Sequence, residues 1–443
     1  MSVGGFVYAF GAYSSDLKHS LQLNQTQVAA IGIAGDVGLY TALLQGLLYD
    51  AYGPKITLSV AGLLASVSLV LAAFLVSMGG SMAWLALIPC MYAVGQAGHG
   101  IFTAALMTNV GNFDPAARGT VVGCIVAMFG ASPALFSGLY HGALAPNVSA
   151  FLAVVGLLFV AASGIGICVI RSLPFDGPQG GGGGYGRDPA REGLAGAQGL
   201  LASFDLSEGE DSSLESFDAF DTRSEEEEEE EEEEVDIHGK ALLKEDTFWL
   251  LFVSLAILDG CMLMILNSLG ALLEAMGSDA SKTGLMAASA VCNVAGRVIF
   301  GFASDGLLKR YGIPRARSLI VVACIMVLNL MGLLVIGKAW LYPTLMGSGL
   351  AMGGLFNVIP TLIGELFGLA HYASNWATCV LAPALGATMF GLLFGRVFDA
   401  HTHGGSHSCS GQACYALSLV VGGVACGVAA VAAFVLDRKT RSR

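Results

Sequence analysis

Long apolar stretches separated by short polar breaks divide the chain into twelve segments, at 1–15, 26–48, 56–77, 84–110, 117–140, 148–171, 246–270, 283–303, 317–337, 341–367, 373–398 and 414–436. A helix rises about 1.5 Å per residue, so about 20 apolar residues cross the hydrocarbon core of a bilayer. Every segment but 1–15 reaches that length. The pattern predicts an all-α membrane protein of twelve transmembrane helices in two six-helix bundles. A polar stretch at 172–245 separates the sets, which places an N-terminal bundle at 1–171 and a C-terminal bundle at 246–443.

Composition sharpens this reading. Charged residues are 12% of the chain, about half the share of an ordinary soluble protein, so most of the surface must face something other than water. The formal charge of −13 comes from one place: 172–245 holds 22 Asp/Glu against 5 Lys/Arg, which leaves the apolar body at +4. That segment also carries five glycines at 180–184 and ten glutamates at 225–234. It lacks the apolar surface to offset the entropy of ordering, so it is expected to be a disordered acidic linker. Eight of the ten cysteines lie in apolar runs, while Cys409 and Cys414 share a polar loop where a disulfide is possible. That loop also holds His401, His403 and His407, whose irregular spacing reads as a polar loop and not a metal site. No phosphate loop, dinucleotide fingerprint, Gly-x-Ser-x-Gly or His-Glu-x-x-His appears, so no enzyme, cofactor or nucleic-acid partner is expected.

Lysine and arginine set the orientation. With the termini and linker cytoplasmic, that side receives 16 basic residues and the opposite side 3. Dropping the linker leaves 11 against 3, still a clear positive-inside bias. The two Asn-x-Ser/Thr sequons, at Asn24 and Asn147, then fall outside.

One motif occurs once in each half. Gly46, Asp50, Gly53, Pro54 and Lys55 follow the second segment; Gly301, Asp305, Arg310, Gly312, Pro314 and Arg315 follow the eighth. The first glycine is expected to let helices approach closely. The aspartate, one turn on, can accept hydrogen bonds from a helix N-terminus, and a basic residue follows the turn. With six plus six spans around a central linker, this resembles the major facilitator superfamily, whose two halves are parallel repeats. The resemblance implies a cytoplasmic gate at these residues together with Arg118.

A narrower resemblance, to the nodulin-like membrane family, rests on Gly5 to Ser14, on Asn112, Phe113, Pro115, Arg118 and Gly119, on Gly364, Glu365, Phe367 and Gly368, and on Cys409, Gly411, Cys414 and Tyr415. That family is related to monocarboxylate and oxalate/formate carriers. Its plant members often carry a lysine shortly after the Arg-Gly pair; 121–128 has none.

Ionisable residues inside spans are expensive and mark functional candidates. Arg297 lies eight residues before Asp305, about 12 Å into the span. Its surroundings resemble the eighth span of monocarboxylate and oxalate carriers, where an arginine engages the substrate carboxylate; alternatively it pairs with an acid inside the bundle. Where monocarboxylate carriers tend to place an aspartate one turn earlier, this chain has Asn293. That aspartate can couple transport to protons; here Asp36 or Asp259 could substitute for it, and otherwise Asp36 is a satisfied helix-interface acid. Tyr8, Tyr13, Gln96, His99 and Asn357 are expected to line a central cavity or to bond neighbouring helices. Arg396 and Asp399 read as a local ion pair. The function expected is alternating-access transport of a small solute in the bilayer without ATP, an organic anion such as a monocarboxylate. The alternatives are a carrier of an amino acid or metal complex, or a non-transporting receptor that offers its linker to a cytosolic partner.

Overall fold

The computed structural model describes residues 1–41, 43–80, 82–112, 125–171, 237–368, 372–402 and 408–441. Residues 172–236 of the expected linker, and the roles considered for Arg118, His403 and His407, lie outside the described residues, as does the side chain of Asp50. The expectation of disorder is corrected for 237–245, which hold a short helix at Gly239–Leu242 and are tied to the body by Ile237 N donating to the Phe367 carbonyl at 3.0 Å. Among the described residues the regular structure is helical throughout. Eight segments among them are long and apolar enough to cross a membrane, and one of these, Ala316–Phe367, contains two helices.

A short 3-10 turn, Phe6–Ala9, leads into α1 (Phe10–Leu21), followed by α2 (Gln25–Tyr40), α3 (Leu43–Met78), α4 (Ala83–Asn112), α5 (Ser132–Leu139) and α6 (Val148–Val169). The second half holds α7 (Asp246–Asn267), α8 (Leu269–Ala275), α9 (Lys282–Tyr311), α10 (Ala316–Ile336), α11 (Leu341–Phe367), α12 (Tyr372–Cys379), α13 (Leu381–Ala400) and α14 (Ala416–Arg441). Packing repeats between the halves. In the first, α2 packs on α4, and α3 on both α4 and α6; in the second, α9 packs on α11, and α10 on both α11 and α14.

Local chemistry explains where the helices depart from the apolar segments. Helix α1 runs past the polar residues expected to end it, because Asp16 accepts a hydrogen bond from Tyr140 Oη at 2.6 Å and Lys18 lies 4.3 Å over the Phe398 ring. It stops at Gln22, which takes a left-handed conformation. The second segment is not one helix to 48. It breaks after Tyr40, where Gln96 Nε2 donates to the Gly38 and Thr41 carbonyls at 2.8 Å each and removes them from the helical ladder. The chain then kinks at Gly53, whose φ of 73° suits glycine, with Pro54 following. The segment at 373–398 breaks at Val380, just before Pro383.

Glycine seams hold the paired helices. A methyl on Gly38 would strike the Tyr92 carbonyl of α4, and one on Gly95 the Gly35 carbonyl of α2. In the second half a methyl on Gly353 would strike the Asn293 carbonyl of α9. Small residues let backbones meet this closely in a bilayer, where packing rather than the hydrophobic effect joins helices. The expectation for Gly46 needs correcting: a methyl there would meet nothing within 4 Å. The close approach lies deeper in the same pair of segments. Gly301 does sit tightly, with the Asn357 amide 3.1 Å from an added methyl.

The halves meet through α2 on α13 and α5 on α9. At the end remote from the linker they are fastened by Asp399, at the close of α13. Its carboxylate accepts from Gln25 N at 2.6 Å, Thr26 N at 2.7 Å and Thr26 Oγ1 at 2.5 Å, capping the N-terminus of α2. A carboxylate there satisfies free amides and meets the positive end of the helix dipole. The expected Arg396–Asp399 pair is therefore corrected: Asp399 serves the other half of the molecule, and Arg396 is exposed. Nearby, Ser137 on α5 donates to Thr283 Oγ1 of α9 at 3.3 Å. Among the described residues, the hydrogen bonds between halves lie at this end and at mid-depth.

Gly95→Val should lower the melting temperature in detergent, since overpacking a close seam costs about 1–3 kcal/mol; Gly46→Ala should leave it unchanged. Asp399→Ala removes charge-assisted hydrogen bonds worth about 1.5–3 kcal/mol. Spin labels at Met82 and Leu417, both exposed at the remote end, should then report about a tenfold or larger rise in the separated population.

Candidate functional site

At mid-depth, where α2 faces α7, two carboxylates are fully buried. Asp36 on α2 and Asp259 on α7 each have 0% exposure. Each is held by a residue of the opposite half. Tyr40 Oη donates to Asp259 Oδ2 at 3.0 Å, and Asn267 Nδ2 donates to Asp36 Oδ2 at 2.6 Å. The second oxygen of each carboxylate is buried and has no hydrogen-bond partner among the described residues. The chain of contacts continues from Tyr40 Oη to Tyr8 Oη at 2.9 Å. Tyr8 rises from the 3-10 turn before α1, which swings its ring against Phe129, centroids 5.7 Å apart.

Arg297 borders this cluster from α9. Its Nε donates to Asn293 Oδ1 at 3.2 Å, and its guanidinium lies 5.8 Å from the Phe356 ring of α11. Phe356 in turn stacks on Tyr40, with centroids 6.4 Å apart and planes 7° from parallel. Arg297 forms no ion pair among the described residues. Asn293 thus orients the guanidinium by one neutral bond and leaves the terminal amino groups unbonded to any described residue. A cation, two carboxylates, two tyrosine hydroxyls and an aromatic face converge between the halves.

The other residues singled out from the sequence lie around this cluster in different ways. Tyr13 is buried in the aromatic core of the first half, 5.3 Å from both Phe10 and Phe151. Gln96 spends its amide on the end of α2, including Thr41 Oγ1 at 2.6 Å. His99 faces Phe102, with ring centroids 6.0 Å apart. Asn357 sits in the α9–α11 seam opposite Gly301. Sequence reasoning misses three residues of the cluster: Tyr40, Asn267 and Phe356. A partial signal exists for two, since Tyr40 lies one helical turn after Asp36, and Asn267 about two turns after Asp259.

At the linker end, Asp305 is paired with Arg315, whose Nη2 lies 2.6 Å away and whose Nη1 also bridges to Glu365 at the close of α11. The basic partner is therefore Arg315 and not Arg310, which lies 5.6 Å over the ring of its neighbour Tyr311. The turn at Gly312 and Pro314 carries Arg315 back beneath α9, where Arg310, still on the helix, points elsewhere. Lys55 lies in α3 past the Gly53 kink, where Ser59 Oγ donates to its carbonyl at 2.8 Å. Cys409 and Cys414 are joined in a disulfide.

Comparisons with known proteins agree with this architecture. A model of the nodulin-like family matches residues 1–181, and one described as the NFD4 C-terminal domain matches 231–443. Probable transporter MCH1 of Wickerhamomyces anomalus is 27% identical over 416 residues, covering 89% of this chain and 77% of that one. Its counterpart in Candida albicans is 25% identical, covering 90% and 83%. That of Yarrowia lipolytica is 29% identical over 214 residues, a stretch that spans 44% of each chain. Among solved structures, a point mutant of the peptide transporter POT in complex with alafosfalin superposes with a TM-score of 0.65 over 99% of this chain and 93% of that one at 14% identity. A point mutant of the nucleoside transporter NupG gives 0.64 over 98% of both chains at 13% identity. Two family models that tile the chain, transporter relatives along nearly its whole length and a shared transporter fold lead to one assignment. The chain is a multi-pass membrane transporter whose first 181 residues match the nodulin-like family and whose fold is shared with these solved transporters.

Proposed function

We propose that this protein is a secondary carrier of a small organic anion, a monocarboxylate, which it moves by alternating access through twelve spans with its termini and linker in the cytoplasm. One observation carries the anion reading. Arg297 stands between the halves with its Nε fixed by Asn293 and its terminal amino groups unbonded to any described residue. A guanidinium so held offers a planar fork matched to the two oxygens of a carboxylate. An arginine used only to brace the bundle would spend those groups on a neighbouring acid, and Arg297 forms no such pair among the described residues.

The aromatic surroundings support a small substrate with an apolar body. Phe356 and Tyr40 present stacked faces beside the guanidinium. Orientation is supported by the 11 basic residues against 3 that remain once the linker is set aside. In that frame the Asp399 cap closes the outer side, and the Arg315 bridge lies at the cytoplasmic end of the second half. Asp305 and the Asp50 loop would latch the inner side when the halves rock the other way.

Purified protein should be screened by thermal shift against carboxylates, amino acids and metal complexes, for wild type and Arg297→Gln in parallel. A bound ligand raises the melting temperature by mass action. A carboxylate shift is expected in the wild type, with affinity reduced about tenfold or more in the variant, the loss of a charged hydrogen bond worth about 1.5–3 kcal/mol. A shift from another ligand class that persists in Arg297→Gln would move the function to that class.

A further inference from the structure

Asp259 is fully buried at 0% exposure, yet its carboxylate has one hydrogen-bond donor, the neutral hydroxyl of Tyr40, and its Oδ1 has none among the described residues. An ionised carboxylate has room for about four hydrogen bonds. Burying the charge without them, and without a bonded cation, is strongly unfavourable. Asp36 repeats the pattern on the facing helix, with one donor from Asn267 and a bare Oδ1. Tyr40, one helical turn from Asp36, is bonded to Asp259, so the two acids share one buried cluster, where like charges repel. Such a pair asks for a positive charge that arrives and leaves.

We propose that Asp259 is the proton-binding site of this carrier, loaded through Tyr8 and Tyr40, with Asp36 as its electrostatic partner. The hydroxyls form a continuous path, from Tyr8 Oη to Tyr40 Oη at 2.9 Å and on to Asp259 Oδ2 at 3.0 Å. Loading follows that path in one concerted shift. Tyr40 passes its proton to Asp259 Oδ2 and takes that of Tyr8, and Tyr8 is restored by a proton from hydronium in the medium, which leaves as water. Both tyrosines end neutral and the carboxylate has gained one proton. A metal cation fits the place less well. It needs several oxygen lone pairs around one open point, whereas Tyr40 turns an O–H toward Asp259.

The remaining surroundings suit this role. Groups that titrate or carry charge near Asp259 are Tyr40 and Asp36 on α2, Tyr8 before α1, and Arg297 on α9. Helices α13 and α14, which also pack on α7, bring glycines and Cys426 against it. Arg297 is the switch in this arrangement. A substrate carboxylate that occupies its fork cancels the one positive charge beside the two acids, and the proton on Asp259 restores the balance. The coupling to substrate rests on the anion reading above, but the proton site itself does not.

The test is infrared spectroscopy of the protein in lipid nanodiscs, following the C=O stretch of protonated carboxylic acid as the medium is acidified. Wild type should show a band that Asp259→Asn loses, with its pH dependence displaced in Asp36→Asn. Tyr40→Phe should retain the band at equilibrium and delay its appearance several-fold after a pH jump. Should Asp259→Asn fail to fold, Asp259→Glu must move the band in frequency. A band unchanged in Asp259→Asn or in Asp259→Glu, or one abolished at constant pH by sodium ions, would overturn the proposal. Arg297→Gln should keep the band, so failure of the anion reading leaves this result standing and remains distinguishable from it.

Discussion

Two buried acids, each held by a donor from the other half of the molecule, are the constraint from which the rest of the architecture follows. Tyr40 of α2 reaches Asp259 of α7, and Asn267 of α7 reaches Asp36 of α2. This exchange needs α2 and α7 face to face at mid-depth. The α2–α4 seam supplies part of that placement, because glycine against a backbone carbonyl lets α2 sit low against its own bundle. The break after Tyr40 supplies another part, freeing the end of α2 from the path of α3. Even the 3-10 turn before α1 belongs here, since it delivers the Tyr8 hydroxyl to Tyr40.

Much of the fold is legible in the sequence because a bilayer admits few solutions. Segments such as 341–367 and 148–171 correspond to helices α11 and α6 with boundaries within two residues, since apolar length nearly determines them. The misreadings share a physical cause. Hydropathy sees one strand of chain at a time, whereas the break after Tyr40 is made by Gln96 from another helix. Helical spacing matches Asp399 with Arg396, but the Gln25 and Thr26 amides at the N-terminus of α2 in the opposite half compete better for the carboxylate. Gly46 looks like a contact point because it heads a motif, and the contact lies at Gly38.

The site is legible as a set of expensive residues and illegible as a geometry. Arg297, Asp36 and Asp259 announce themselves by carrying charge inside apolar runs. Tyr40 and Phe356 do not, because aromatic residues are ordinary in spans and only the packing of α2 against α11 shows that they stack beside the arginine. Asn293 stands out in the sequence for what it lacks, a charge. Its observed part, fixing Nε of Arg297 while leaving the fork open, needs the side-chain arrangement to be seen.

The glycine seams have a mechanical meaning. Where a backbone carbonyl lies against a bare Cα, no side chain remains to change rotamer and let one helix slide past the other. Helices α2 and α4 therefore travel as a single plank, and so do α9 and α11. Whatever bending the transport cycle demands is displaced to the places where the ladder is already interrupted: the Thr41 break, the Gly53 kink and the step at Val380. The molecule behaves less like a bundle of independent rods than like a few stiff boards with their hinges cut in advance.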